Sequence, residues 1–312
     1  MLYYYDDVFL RHDTGPHPEC AERLRVIEKA LAASPMGAAV ERRKPRRAEP
    51  EEIALVHSPD YVEAIRRFAA AGGGYLDPDT VVSLASYEAA AVAAGAALDA
   101  VDAILAGDGT RAFLAVRPPG HHALPGRAMG SCLFNNIAIA ARYLQKLGAA
   151  ERILIADFDC HHGNGTQAVF YSDPDVYYVS IHLYPFYPGT GAAGDAGEGP
   201  GEGTNVNIPV GWGADGGEVV RLFADAVEKA AARCEPEFVL VSAGFDGCSG
   251  DPIAGMGLEP DDFAALTRPI VRAAESYAGG RVISTLEGGY NLDRLGECVI
   301  AHLAELGGKR IG

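Results

Sequence analysis

The chain has 312 residues, 48% of them hydrophobic and 22% charged, which is enough apolar material for one large folded core or two small ones. Its 42 acidic and 26 basic side chains give a formal net charge of −16; such a chain repels phosphate backbones, so nucleic-acid binding is not expected. We judge the apolar runs too short to span a bilayer, and the start MLYYYDDVFLRHD lacks the basic and apolar regions of a secretory signal, so we expect a cytoplasmic protein without a membrane contact.

The predicted elements alternate between helices and short buried strands. Helical periodicity first predicts helices over 19–33, 59–70 and 84–106, the last being rich in alanine. Apolar runs rich in β-branched and aromatic residues then predict five strands, with helices between them. The strands are 111–116, 152–158, 175–183, 238–245 and 281–287, and the helices are 132–147, 216–233, 261–277 and 292–305. This alternation is typical of an α/β fold with a mostly parallel sheet covered on both faces.

No linker or repeat divides the chain, so we expect a single domain over residues 1–312. The stretches 69–80 and 188–217 are interpreted as long loops, and loops of that length in a compact domain tend to be functional. The short basic cluster ERRKPRR at 41–47 is interpreted as a solvated loop.

Each predicted strand ends in, or runs directly into, polar residues. These segments are RPPGHHA (117–123), DFDCHHGNG (157–165), SIH (180–182), AGFDG (243–247) and EGGYN (287–291). In open parallel sheets, ligands bind beyond the carboxyl ends of the strands. Residues that lie far apart in the sequence are therefore expected to meet in one pocket.

The segment DFDCH has the pattern of a metal-binding strand end. Side chains of Asp157, Asp159 and His161 alternate, so in extended backbone they point to the same side. Asp246, at the end of another strand, would complete a three-ligand site with Asp159 and His161 and leave a position for water. Two carboxylates and one imidazole suit zinc, and also iron(II), cobalt or manganese. The alternative interpretation is a solvated polar turn.

Two further segments offer proton-transfer groups. Adjacent side chains of an extended chain point to opposite faces, so His121 and His122 are better suited to proton transfer near the metal than to binding it together. Tyr290 follows two glycines, and its phenol could donate to a developing oxyanion. Taken singly, the two histidines would be interpreted as one core and one surface residue, and Tyr290 as an ordinary surface tyrosine. The sequence contains no P-loop and no G-x-S-x-G nucleophile motif.

Together these segments resemble the histone deacetylase family of zinc amidohydrolases. The blocks RPPGHHA, DFDCHHGNGTQ, YPFYPGTG, SAGFDG…GDP and LEGGYN occur in the family's order, and the resemblance covers nearly the whole chain from TGPHPECAERL (14–24) onward. HHGNG and LEGGYN are similar to the class II branch and its bacterial relatives, which include acetylpolyamine amidohydrolases. The resemblance implies the arginase–deacetylase fold, a three-layer α/β/α domain with a mostly parallel eight-stranded sheet.

The resemblance also implies roles for individual residues. It makes Asp159, His161 and Asp246 the ligands of one catalytic Zn2+, and His122 the general base and then the general acid. His121 becomes its electrostatic partner and Tyr290 the donor that polarises the amide carbonyl. Among the supporting residues, Asp157 would bond His121, Asn164 would hold His122, and Asp157 with Ser180 would bind a structural monovalent cation, K+ or Na+.

The expected substrate is an acyl-lysine peptide or protein, or a small acylated amine. The resemblance places Asp79 at the substrate backbone and Gly130, Ser131 and Tyr187 along the tunnel. Ser131 stands where the family usually has an aromatic residue, so we expect tolerance of acyl groups larger than acetyl. Ile253 replaces the acid found in polyamine-selective relatives, which favours acyl-lysine substrates.

Three alternatives remain at this point: an acetylpolyamine amidohydrolase, a non-catalytic metal-binding recognition module, and an arginase-like binuclear manganese hydrolase. Against the arginase-like alternative, this sequence offers too few further metal ligands to hold a second catalytic ion. The oligomeric state is left open.

Overall fold

The computed structural model describes residues 1–308, so residues 309–312 of the expected domain lie outside it. The strands are β1 (Leu2–Tyr4), β2 (Glu41–Arg43), β3 (Gly74–Asp77), β4 (Thr80–Val82), β5 (Arg111–Leu114), β6 (Ile153–Asp157), β7 (Val176–Leu183), β8 (Asn205–Val210), β9 (Phe238–Ala243) and β10 (Val282–Leu286). The helices are α1 (Glu22–Ala33), α2 (Pro50–Ile53), α3 (Pro59–Ala70), α4 (Ser86–Ala106), α5 (Asn136–Lys146), α6 (Asn164–Phe170), α7 (Gly216–Cys234), α8 (Pro260–Tyr277) and α9 (Leu295–Leu306).

Eight strands form one sheet in the order β2-β1-β5-β10-β9-β6-β7-β8. Every neighbouring pair in it is parallel. The central strands β6, β9 and β10 are buried along their whole length, as expected for strands that helices cover on both faces. The predicted α/β fold with an eight-stranded parallel sheet is therefore confirmed.

The helices pack in two groups. In one group α4 packs against α5 and covers β1, β5 and β10; in the other, α7, α8, α9 and α1 form a continuous set, of which α7 covers β6, β7 and β8. Polar caps set several boundaries: Ser58 accepts from the amide of Tyr61 at the start of α3, and Asp215 accepts from that of Glu218 at the start of α7. These helices begin where the sequence predicts.

Helix α4 corrects the expectation that no apolar run reaches membrane-spanning length. Its 21 residues are long and apolar enough to cross a bilayer, because alanine-rich sequence scores as apolar. However, 78% of its most apolar window is buried inside the protein. It is therefore packed as the core helix of a sheet protein.

The structure adds elements that the sequence analysis interpreted as loops. The basic cluster at 41–47 begins with the edge strand β2, the loop at 69–80 contains most of the antiparallel β3–β4 hairpin, and the span 188–217 contains β8. Strands β1 and β2 have only three residues each, too few for a pattern to be visible. β8 carries two asparagines and a proline, which hides its strand character.

Candidate metal centre and active site

The strand order explains how the site is assembled. Strands β5, β10, β9 and β6 lie side by side and run parallel, so their carboxyl ends share one edge of the sheet. The segments that follow them carry, respectively, the paired histidines, Tyr290, Asp246 and the Asp159–His161 pair. Four segments that lie far apart in the sequence, the outermost carrying His121 and Tyr290, therefore meet at this edge, as expected for a doubly wound sheet.

Three side chains from two of these segments form a buried cluster. Nδ1 of His161 lies 3.0 Å from Oδ1 of Asp159 and 3.0 Å from Oδ2 of Asp246. Asp159, His161 and Asp246 are all buried. Burial alone would lower the pKa of His161, but the two carboxylates outweigh it and raise the pKa to about 10. The cluster thus concentrates negative charge around one point.

The donor set fits a divalent metal ion. One oxygen of the cluster, Oδ2 of Asp246, is buried without a hydrogen-bond partner, because the single ring nitrogen of His161 faces two carboxylates and can donate to only one. Such an atom is costly to bury unless a cation compensates it. Carboxylate and imidazole donors are those that zinc and related ions take.

Cys160 is a fourth donor that the sequence analysis did not name. One ligand atom each from Asp159, Cys160, His161 and Asp246 lie within 4.8 Å of one another. The Cys160 side chain belongs to the main hydrophobic core, and burial raises the pKa of its thiol well above the usual value. These two features make Cys160 less suited to the ligand role than the two aspartates and the histidine, whose ligand role remains a prediction.

Gly288 illustrates how closely the backbone approaches the cluster. A Cβ atom at this position would lie 2.3 Å from Oδ2 of Asp246 and 2.6 Å from Oδ2 of Asp159. Its amide instead donates to Oδ2 of Asp159 at 2.8 Å. The first glycine of EGGYN is therefore required by this contact.

The paired histidines lie beside the cluster in different environments. Nδ1 of His121 is 3.1 Å from Oδ2 of Asp157, whereas Nδ1 of His122 donates to the amide oxygen of Asn164 at 2.8 Å. For His121, burial opposes protonation but Asp159 and Asp157 prevail and raise the pKa to about 10. For His122, burial and the neighbouring charged histidines lower the pKa well below its ordinary value. The pair therefore separates into one charged and one neutral imidazole.

Glu287 supports this pair and was missed by the sequence analysis. Its Oε2 accepts from the amides of Gly120 at 2.7 Å and His121 at 3.2 Å, and its Oε1 accepts from the Ser242 hydroxyl at 3.0 Å. Burial raises the pKa of Glu287 to about 7. Its position as the first residue of EGGYN was a visible signal, but its partners depend on β10 lying between β5 and β9.

A second missed group lies under Tyr290. The guanidinium of Arg23 is 4.9 Å from the centre of the Tyr290 ring and donates to the carbonyl of Gly289 at 2.7 Å. Glu19 accepts from both Arg23 and Arg117, and all three are buried. The segment TGPHPECAERL, noted only for its resemblance, thus supplies a buried ionic support for the tyrosine.

Two of the residues predicted to line the tunnel, Tyr187 and Gly130, lie beside His122. The Tyr187 ring meets His122 edge-to-face at 5.2 Å between centroids, and a Cβ on Gly130 would lie 2.4 Å from Cδ2 of His122. The Ser131 hydroxyl donates to the backbone oxygen of Asp79 at 3.0 Å. The exposed Asp79 carboxylate itself is 3.2 Å from the ring of His17. Ser131 therefore ties the β3–β4 hairpin to this wall.

Two further predictions, the monovalent-cation site at Asp157 and Ser180 and the role of Ile253, are not tested by the contacts of these residues. Asp157 and Ser180 are paired on β6 and β7, but Asp157 accepts from the Tyr178 hydroxyl at 2.8 Å and Ser180 bonds His182 at 2.8 Å. Ile253 is half-buried and packs against the main core. The monovalent-cation site and the role of Ile253 remain predictions.

Comparison with known proteins shows which family this chain is similar to. The family model for the histone deacetylase domain matches residues 17–306. The histone deacetylase-like amidohydrolase of Pseudomonas aeruginosa is 37% identical over 99% of this chain and 86% of its own length. A probable deacetylase of Archaeoglobus fulgidus is 37% identical over 93% of this chain and 81% of its own. The crystal structure of the HDA15 HD domain superposes with a TM-score of 0.91 at 35% identity, covering 100% of this chain and 89% of that one.

The parallel eight-stranded sheet, with a carboxylate–imidazole cluster and a histidine pair at its carboxyl edge, is that of a protein with the arginase–deacetylase fold. Within that class, the chain belongs to the histone deacetylase family.

Proposed function

We propose that the protein is a zinc-dependent deacylase that removes acetyl and larger acyl groups from the ε-amine of acyl-lysine or a related amide. The observation that carries this proposal is the unpartnered Oδ2 of Asp246, which lies 3.0 Å from Nδ1 of His161, whose ring in turn lies 5.9 Å from that of the neutral His122. It supports a bound divalent ion beside a base, which a recognition module would not need. Zinc, held by Asp159, His161 and Asp246, would supply Lewis acidity to the water and the amide carbonyl.

His122, Tyr290 and His121 have different roles in the proposed reaction. His122 is neutral because its pKa is lowered, and since its Nδ1–H donates to Asn164, its Nε2 is free to take a proton from the attacking water. The Tyr290 phenol stays protonated, because burial raises its pKa, and donates to the developing oxyanion. His122 then returns the proton to the leaving amine. The charged His121, held by Asp157, balances the negative charge of the site.

The experiment that tests this function is a substrate panel on zinc-loaded protein. We expect release of free lysine ε-amine from acetyl- and longer acyl-lysine peptides, inhibition by a hydroxamate, and weaker hydrolysis of acetylspermine. Preference for acetylspermine would instead establish the acetylpolyamine amidohydrolase alternative. No turnover of any acylamide by zinc-loaded protein would favour the recognition module. The expected cytoplasmic location and the single domain over residues 1–312 remain predictions.

Replacing Asn164 by aspartate is expected to move the acidic limb of the kcat/KM profile to higher pH. A carboxylate 2.8 Å from Nδ1 of His122 would favour the protonated imidazole and raise its pKa. Because the base must be neutral, activity would then be lost at a higher pH as the solution is acidified. Comparison of wild type and Asn164→Asp from pH 5 to 9 measures the change; a limb that stays in place or moves to lower pH contradicts the assignment of His122 as base.

Replacing Ser131 by phenylalanine is expected to lower the rate for long-chain acyl-lysine relative to acetyl-lysine by about tenfold or more, because the ring refills the tunnel wall. The backbone at Ser131 has φ +62°, a conformation that is unfavourable for alanine as it is for phenylalanine. Ser131→Ala is therefore the matched control. Ser131→Ala removes the bond to Asp79 without adding volume and should preserve the acyl preference. Equal acyl ratios in wild type and Ser131→Phe would contradict a role in selectivity.

A further inference from the structure

The carboxylate of Asp251 joins the two loops that carry Asp246 and Tyr290. It lies in the connection between β9 and α8, where Oδ1 accepts from the amides of Ile253 at 3.0 Å and Ala254 at 3.4 Å. Its Oδ2 accepts from the amides of Tyr290 at 2.8 Å and Asn291 at 3.0 Å in the connection between β10 and α9. One side chain thus satisfies two backbone donors in each loop.

The Tyr290 amide needs such an anchor. It follows Gly288 and Gly289, and Gly289 adopts φ +121°, a conformation that glycine reaches readily and other residues rarely do. On the side toward the interior, Arg23 holds the Gly289 carbonyl and lies under the phenol ring. From the opposite loop, Asp251 accepts from the N–H of this same Gly289–Tyr290 peptide, so the peptide that leads into the tyrosine is held at both its carbonyl and its amide.

Other contacts join the same two loops. The Asn291 side chain donates to the carbonyl of Gly250 at 3.0 Å, and Arg294 donates to that of Ser249 at 3.4 Å. Because these bonds do not involve the Asp251 carboxylate, its removal should leave the loops joined. The structural change would then be confined to the two peptide groups that contain the amides of Tyr290 and Asn291.

We propose that Asp251 is a positioning residue for the reaction, which fixes the place of the Tyr290 phenol by binding its backbone amide. The inference rests on the proposed function only for its kinetic consequence. A hydroxyl misplaced by about 1 Å loses much of its benefit to the transition state while leaving substrate binding largely intact. The effect should therefore fall on kcat rather than on KM.

The kinetic test is a double-mutant cycle at pH 8, above the pKa of about 6 to which burial and Asp246 raise the Asp251 carboxyl. We expect Asp251→Ala to lower kcat about ten- to a hundredfold with KM and zinc content unchanged. In a Tyr290→Phe background the same substitution should cost less than about twofold, because the hydroxyl it positions is gone. Asp251→Asn, which keeps one acceptor oxygen, should recover part of the activity. Losses that multiply in the double variant would overturn the proposal.

A second readout needs no turnover. Fluorotyrosine at position 290 gives one 19F resonance, which Asp251→Ala should move or broaden. The matched control is Asp293→Ala, which removes an exposed carboxylate from the same loop and should leave both the resonance and kcat unchanged. An unchanged resonance in Asp251→Ala would overturn this inference even if the protein is an active deacylase. Inactivity of the wild type toward every acylamide would refute the proposed function alone.

Discussion

Tyr290→Phe is expected to lower kcat for acyl-lysine hydrolysis by roughly a hundred- to a thousandfold, the usual consequence of losing one oxyanion donor. The substitution removes only the hydroxyl. The ring remains over Arg23 and the backbone amide remains bonded to Asp251, so the fold around the site is preserved. Since the hydroxyl acts on charge that develops in the transition state, KM should change little.

The measurement compares kcat, KM, zinc content and melting temperature for Tyr290→Phe with those for Tyr187→Phe. Tyr187 is the matched control, because its ring packs edge-to-face on His122 and a phenylalanine would keep that contact. We expect Tyr187→Phe to retain kcat within a few fold. A loss below tenfold in Tyr290→Phe, with zinc retained, would remove the tyrosine from the proposed mechanism and leave the oxyanion without a side-chain donor.

The parts of the fold that could be predicted are those whose pattern is local. Strands β6, β9 and β10 are continuous apolar runs because helices cover both faces, and each was predicted within two residues of its bounds. By contrast, β1 and β2 are three-residue strands that exist because they pair with each other and, through β1, with β5. Their stabilisation is tertiary, so no local pattern in the sequence marks them.

The same distinction applies to the site. Asp159 and His161 follow one strand at alternating positions, and that spacing alone predicts that they share a side. Glu287 could not be assigned a role in this way, because it bonds the amides of Gly120 and His121, which follow a different strand. Likewise, Asp251 contacts Tyr290 only because the β9–α8 and β10–α9 connections are neighbours at the sheet edge. Ligand pairs within a motif are visible in sequence, whereas the residues that orient them belong to other strands.

Asp246→Asn is expected to abolish both metal binding and hydrolysis. The amide keeps an oxygen to accept the Cys160 amide, which now bonds Oδ1 at 2.9 Å, so the strand end retains its local structure. The substitution removes the negative charge of the Asp246 carboxylate, whose Oδ2 is the unpartnered atom of the cluster. A neutral amide cannot replace a carboxylate as a ligand for zinc without a large loss of affinity.

The measurement is zinc per chain after dialysis against a weak chelator, together with the zinc-induced rise in melting temperature. Wild type should retain one ion and gain thermal stability on adding zinc, because a ligand bound only by the folded state stabilises it. Asp246→Asn should show neither effect. Cys160→Ala is the discriminating companion variant, since Cys160 lies among the same donors but its side chain belongs to the hydrophobic core. If Cys160→Ala retains zinc and Asp246→Asn loses it, the result supports a site of two carboxylates and one imidazole. If Cys160→Ala loses zinc and Asp246→Asn retains it, the ion is bound by the thiolate, and the proposed ligand set is wrong.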